Sequence, residues 1–232
     1  MPKPKRTYVT RRDRRVLEFV DRYRLGTPEL LAIGVFGGGQ TENVIRVLRK
    51  LIRRGYLRRI DIAAGQFYVV LTRRGSGVIG AADRTPRPLT EQSLPTVLAI
   101  AAYCVRSGRP RLTDAEFRDR FPELWRPGLR SSSYCLRETD AGLVLTMFIV
   151  DRGGTSRRIR SKIRRIVAQR RALPAFHTLM TAGRFQVCVL TSNRHHEQNI
   201  RRQLPRLHDQ PVDVDVAVVP ELGFPFTSGA VR

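Results

Sequence analysis

The stretch QTENVIRVLRKLIRRGYLRRIDIAAGQFYVVLT, Gln40 to Thr72, sets out a basic helix, a sharp stop and two strands, in that order. Apolar Val44, Val47, Leu48, Leu51 and Ile52 recur at helical spacing and define one buried stripe. Asn43, Arg46, Arg49, Lys50, Arg53 and Arg54 fall between them and are expected to face out. Gly55 can take the left-handed conformation that closes a helix. Leu57–Ile62 and Gln66–Leu71 have strand character and are joined by Ala63, Ala64 and Gly65. A helix followed at once by a hairpin, with arginines on both, is the layout of a winged helix-turn-helix. In that layout the helix enters the DNA major groove and the wing lies along the backbone.

The residues upstream supply the remaining parts. Thr10 is placed to cap a helix from Arg11 to about Tyr23, with Val16, Leu17, Phe19 and Val20 inward. Thr27, Pro28 and Glu29 form a helix start: a cap, a proline in the first turn and an early carboxylate. That short helix carries Leu30, Leu31 and Ile33 and runs into the turn Gly37-Gly38-Gly39, after which Gln40 and Thr41 open the basic helix. Downstream, Thr72-Arg73-Arg74-Gly75 leads into a small-residue segment ending near Ala82.

Charge narrows the partner. The chain has 232 residues, 43 of them basic and 20 acidic, for a formal net charge of +23. Such an excess implies a polyanion. Only Lys3, Lys5, Lys50 and Lys162 are lysines; the other basic residues are arginines, whose planar fork suits phosphate and guanine edges. Both halves are basic: residues 1–85 hold 19 basic and 7 acidic residues, leaving 24 and 13 for residues 86–232. No apolar run is long enough to span a bilayer. The N-terminal MPKPKRTYVTRR has no apolar core behind it and is read as a flexible basic arm, not a secretory signal. Cys104, Cys135 and Cys188 are far apart, odd in number and in apolar surroundings, as expected of reduced core residues in a cytoplasmic, nucleoid-associated protein. The four histidines make no metal set with them, and neither a metal nor a cofactor is expected.

Arg84-Thr-Pro-Arg-Pro88 is a proline-rich break, so the chain divides into a DNA-binding domain at 1–85, a helical connector at 86–130 and an α/β domain at 131–232. The connector holds an apolar helix, Glu91–Ser107, stopped by Gly108, and a capping-box helix from Thr113 to about Phe121. Trp125 is expected to plug the packing after it. The last region alternates: strands Tyr134–Arg137 and Leu143–Val150 around the turn Glu138–Gly142, a helix Thr155–Arg171, a helix Ala175–Ala182 and a strand Arg184–Leu190. A helix capped by Ser192 or Asn193 then runs to about Leu207, followed by a strand Val212–Val219 and a loose tail. The fold class is therefore α+β: a winged helix-turn-helix followed by an α/β sandwich, the later strands parallel across helical crossovers.

Three places together resemble the replication-relaxation family of plasmid and mobile-element proteins: the ending LTRRG at Leu71–Gly75, the strand and turn FIVDRGG at Phe148–Gly154, and the helix SKIRRI with Lys162. The resemblance implies a winged helix joined to a restriction-endonuclease-like core, and a role in plasmid replication, mobilisation or their transcriptional control. Metal-dependent cleavage would need two converging acids and a lysine. Asp140 and Asp151 could be the acids, with Glu138 adding a carboxylate, but Gly153 stands where the lysine is required, and Lys162 would have to reach in from the next helix. On the plainer reading, Asp140 sits in a turn and Asp151 to Gly154 is a strand-to-helix loop. From Arg152 to His196 there is no acidic residue, while 11 are basic. Such an unbalanced run repels itself unless a polyanion neutralises it, which favours binding over cleavage.

The expected DNA contacts are Gln40, Thr41, Asn43, Arg46, Arg49, Lys50 and Arg53 on the basic helix, Arg58 and Arg59 on the wing, and Arg157, Arg160 and Arg164 on the later helix. The expected function is sequence-specific binding to double-stranded DNA of a plasmid or mobile element, as transcriptional regulator or accessory factor, with no catalytic residues. A homodimer through the apolar helix Glu91–Ser107 is expected, and a relaxase or replication initiator is a possible protein partner. A metal-dependent nuclease using Asp140, Asp151 and Lys162, or an adaptor, is the alternative.

Overall fold

The computed structural model describes residues 9–62, 65–81, 89–127, 129, 133–140, 142–204 and 212–223. The chain divides into two compact units between Thr90 and Glu91. The basic arm, the proline-rich break and most of the tail lie outside the described residues.

The first unit opens with α1, Arg11–Tyr23, closed at its start by a reciprocal capping box between Thr10 and Asp13. Leu25 and Gly26 follow, and Gly26 makes two backbone hydrogen bonds to Val69, at 3.0 and 2.9 Å. Thr27 then caps α2, Pro28–Gly34. Gly37 and Gly38, both at positive φ, turn the chain into α3, Thr41–Arg53, and Gly55 at φ 71° ends it. Strands β1, Leu57–Asp61, and β2, Phe67–Leu71, pair antiparallel from Leu57 opposite Leu71 to Asp61 opposite Phe67. Val44, Val47, Leu48 and Leu51 are buried, as are Val16, Leu17 and Val20 of α1 and Leu30 and Leu31 of α2. Thr72, which leads into the small-residue segment, caps a helix there, α4, Arg73–Val78. The glycines at 75 and 77 depress helix propensity, so tertiary packing makes this helix. Gly75 lies so close to Tyr56 that a Cβ would fall 2.2 Å from its carbonyl oxygen.

The second unit carries a four-stranded sheet in the order β3-β4-β5-β6. β3, Tyr134–Thr139, and β4, Gly142–Val150, form an antiparallel hairpin; β5, Phe185–Thr191, and β6, Asp213–Val218, add on in parallel. Helices α7, Ser156–Arg171, and α8, Pro174–Thr181, link β4 to β5, and α9, Arg194–Arg201, precedes β6. Alternation along each strand separates two faces. Leu145, Met147, Ile149, Val187 and Val189 share one core with Ile159, Ile163 and Val167 of α7, Phe176 of α8 and Ile200 of α9. Phe148, on the opposite face, packs its ring 5.3 Å from Tyr103 of α5, Leu94–Ser107.

Several expectations are corrected. The segment 86–130 is not a separate connector: Phe117 of α6, Asp114–Arg120, and Leu124 belong to the same core as β3, β4 and β5. The apolar helix α5 begins at Leu94, because Pro95 is tolerated only in a first turn. It is buried on nearly every side, including Ala99, Ala101 and Ala102, which removes the reason for assigning it to a dimer interface. The hairpin turn is tighter than expected, since Thr139 pairs with Gly142. α9 ends at Arg201, not near Leu207. The three cysteines, distant in sequence, approach one another beneath α5, where the Cys104 thiol donates a hydrogen bond to Cys135 and burial pushes the Cys188 thiol up to about 12.

Candidate nucleic-acid interface

α3 sorts its polar residues into two kinds. Gln40, Asn43, Arg46, Arg49 and Arg53 are exposed, and Thr41 is partly so. Arg46, Arg49 and Arg53 lie at i, i+3 and i+7, within one narrow stripe opposite the buried face. Lys50 is different. Its ammonium lies 2.6 Å from Asp13 Oδ2 on α1, and the Asp13 side chain is 0% exposed. Burial pushes the Asp13 carboxyl up, but hydrogen bonds from Lys50 and Thr10 more than offset it, so its pKa lies below the ordinary value. Lys50, expected as a DNA contact, is therefore the tether between α3 and α1.

The hairpin repeats the distinction. Arg58 is exposed. Arg59, expected as a phosphate contact, has its Nε 2.8 Å from Asp61 Oδ1 and its guanidinium 4.1 Å from the centre of the Phe67 ring. Its charge is partly answered within the hairpin.

On α7 the three expected residues also divide. Arg157 and Arg164 are exposed. Arg160 is half-buried and donates to Gln203 Oε1 at 3.2 Å, so it joins α7 to the chain after α9. Arg170 is likewise structural, donating to the Tyr134 hydroxyl at 3.0 Å while lying over Phe176.

The geometry rules out the three-residue metal centre considered from the sequence. Asp140 precedes β4 and Asp151 follows it, and the strand itself, Gly142–Val150, is nine residues long. At ~3.3 Å per residue the two carboxylates are about 30 Å apart and cannot share an ion. Glu138, exposed at the same end as Asp140, is equally remote. Among the described residues no group of three or more His, Cys, Asp or Glu side chains is arranged to hold a metal.

Asp151 does have a defined setting. It is 2% exposed at the end of β4. Its Oδ1 accepts from the Gly153 and Gly154 amides at 3.1 and 2.9 Å, and its Oδ2 lies 3.3 Å from His196 Nδ1 and 3.5 Å from Thr191 Oγ1. His196 and Thr191 were not singled out from the sequence. The available signal was Asn193, whose side chain caps α9 by accepting from the His196 amide and so fixes where that residue begins the helix. Lys162, the supposed migrated lysine, is half-buried; burial and Arg165 lower its pKa while Asp151 opposes them.

Comparison with protein-family models, with curated proteins and with solved structures finds no match. Among the described residues, no helix is long and apolar enough to cross a membrane.

Proposed function

We propose that the first unit is a winged helix-turn-helix and that the chain is a sequence-specific DNA-binding protein of a plasmid or other mobile element. Its task is transcriptional regulation, or an accessory role in replication or mobilisation. One observation carries the reading: Arg46, Arg49 and Arg53 project from a single exposed stripe of α3 and have no hydrogen-bond or ion-pair partner among the described residues. Other cations of the unit, Lys50 and Arg59, are answered internally. An uncompensated row of guanidiniums on a helix backed by α2 suits a major groove, where arginine pairs with guanine O6 and N7.

Supporting details follow the same layout. Gly26 bridges to Val69, so the segment between α1 and α2 lies beside the hairpin, which supports reading it as the first, very short strand of a winged helix. Arg58, exposed on β1, suits a wing that follows the phosphate backbone. For the second unit we propose a nuclease-like core without the acid-acid-lysine constellation, its basic α7 adding phosphate contacts through Arg157 and Arg164. A two-fold homodimer on a pseudo-palindrome remains part of the proposal, since one short helix reads few base pairs. The test is selection of bound sequences from random duplexes by the full-length chain. A recurring motif is the expected outcome, and its absence would refute the reading.

A further inference from the structure

We propose that the carboxyl ends of β4 and β5 carry a phosphate-binding site formed by His196, Lys162 and Arg158, with Asp151 as the buried positioning residue. The place is set by topology. β4 and β5 are adjacent and parallel, pairing as far as Val150 opposite Leu190, and Asp151 and Thr191 close them on the same edge. Ligands of open α/β sheets bind outside the carboxyl ends of the strands, and here the loops after β4 and β5 lead to α7 and α9, whose buried residues share one core.

Asp151 is enclosed rather than offered to a ligand. Two glycine amides take Oδ1, and Oδ2 faces His196 Nδ1 and the Thr191 hydroxyl. The carboxylate thus fixes the imidazole with Nδ1 inward and leaves Nε2 as its working atom, on a side chain 34% exposed. The Arg158 stem lies over the same turn: a Cβ on Gly154 would sit 3.7 Å from both Arg158 Cδ and Asp151 Oδ1.

Charge selects the ligand. Arg158, Lys162 and Arg165 stand at i, i+4 and i+7 on α7, one stripe of like charge. Burial lowers the Lys162 pKa, Arg165 and Arg158 lower it further, and only Asp151 opposes them. No acidic residue occurs from Arg152 to His196, so nothing else in that segment relieves the stripe. A phosphate group supplies both the charge and enough acceptor oxygens for donors arriving from α7 and α9 at once. Its source is either a free phosphorylated small molecule or the backbone of a bound nucleic acid.

The test is an NMR titration of the full-length chain with ¹³C-labelled histidine, following the His196 ring signal identified by its loss in His196→Gln. The ligands are inorganic phosphate, a 5′-mononucleotide and a short scrambled duplex, with sodium chloride at matched ionic strength as control. A saturable shift is expected, with binding about tenfold weaker in Lys162→Gln, as befits loss of one charge-assisted hydrogen bond. Saturation by phosphate and mononucleotide identifies a free ligand; response to the duplex alone identifies the backbone. An equal shift with chloride, no saturable shift with any ligand, or a Lys162→Gln response like the wild type would overturn the proposal. Arg46→Ala, on α3, is expected to leave the phosphate and mononucleotide titrations unchanged, so failure of the winged-helix reading is separable from failure of this one.

Discussion

Replacing Lys50 with methionine separates a structural role from a DNA contact. The Lys50 ammonium sits 2.6 Å from Asp13 Oδ2, and the aspartate side chain is 0% exposed. Methionine keeps the apolar stem and removes the charge, which leaves Asp13 buried without its ion-pair partner. Breaking a fully buried pair costs ~3–5 kcal/mol. Here Lys50 is 29% exposed, so water already screens it. Asp13 also keeps the Thr10 amide at 3.1 Å. The expected loss is therefore about 1–3 kcal/mol. Hydrogen exchange reads it locally: amides of α1 and α3 should lose that much protection, and those of β4 and β5 should not change. The pH dependence has a definite sign. Because the folded pKa of Asp13 is depressed, its contribution is complete above the unfolded carboxylate value and disappears as pH falls through the lower folded value. In Lys50→Met, burial acts without the main opposing hydrogen bond, so the folded pKa of Asp13 rises and its acid-side loss of stability should shrink. Unchanged protection together with a flatter salt dependence of DNA binding would refute this and return Lys50 to the phosphate contacts.

Gly75→Ala should destabilise the first unit by about 2–3 kcal/mol, since the new methyl meets a backbone carbonyl that cannot rotate away. Hydrogen exchange across α4 and β2 measures it, and wild-type protection would count against the packing described. Replacing Arg157 and Arg164 with glutamine should lower the magnitude of the slope of log K against log salt by roughly 0.9 per lost phosphate contact without altering sequence preference. Arg160→Gln should leave that slope alone and lower the melting temperature of the second unit, because its partner is Gln203.

Elements with strong local signals were legible in the sequence. The Thr10 cap, the Thr113 capping box, the Thr27-Pro28 start and the Gly55 and Gly108 stops each set a helix end through a short-range hydrogen bond or a positive φ. The parallel order of β4, β5 and β6 followed from helices between strands. What escaped depended on distant partners. Nothing near Lys50 in the sequence says that Asp13, 37 residues away, needs it. On spacing alone Lys50 belongs with Arg46, Arg49 and Arg53. The bond from Arg160 to Gln203 is illegible for the same reason, since the two are 43 residues apart. The small-residue segment after Thr72 carries no helical signal because of its glycines, and the formation of α4 rests on the Thr72 cap and burial of Gly75 and Ser76. The Asp151–His196 pair spans 45 residues and is assembled only when β4 and β5 lie side by side.

The central claim is that the exposed arginines of α3 read base sequence. The direct measurement compares wild type and Arg46→Ala on a selected duplex and on its scrambled counterpart at one salt concentration. The wild type should prefer the selected duplex by about 10³-fold or more. Arg46→Ala should lose ~1–3 kcal/mol on the selected duplex, relax preference at one base pair and bind the scrambled duplex nearly as before. Equal wild-type affinity for both duplexes, or wild-type discrimination retained by Arg46→Ala, would contradict the account.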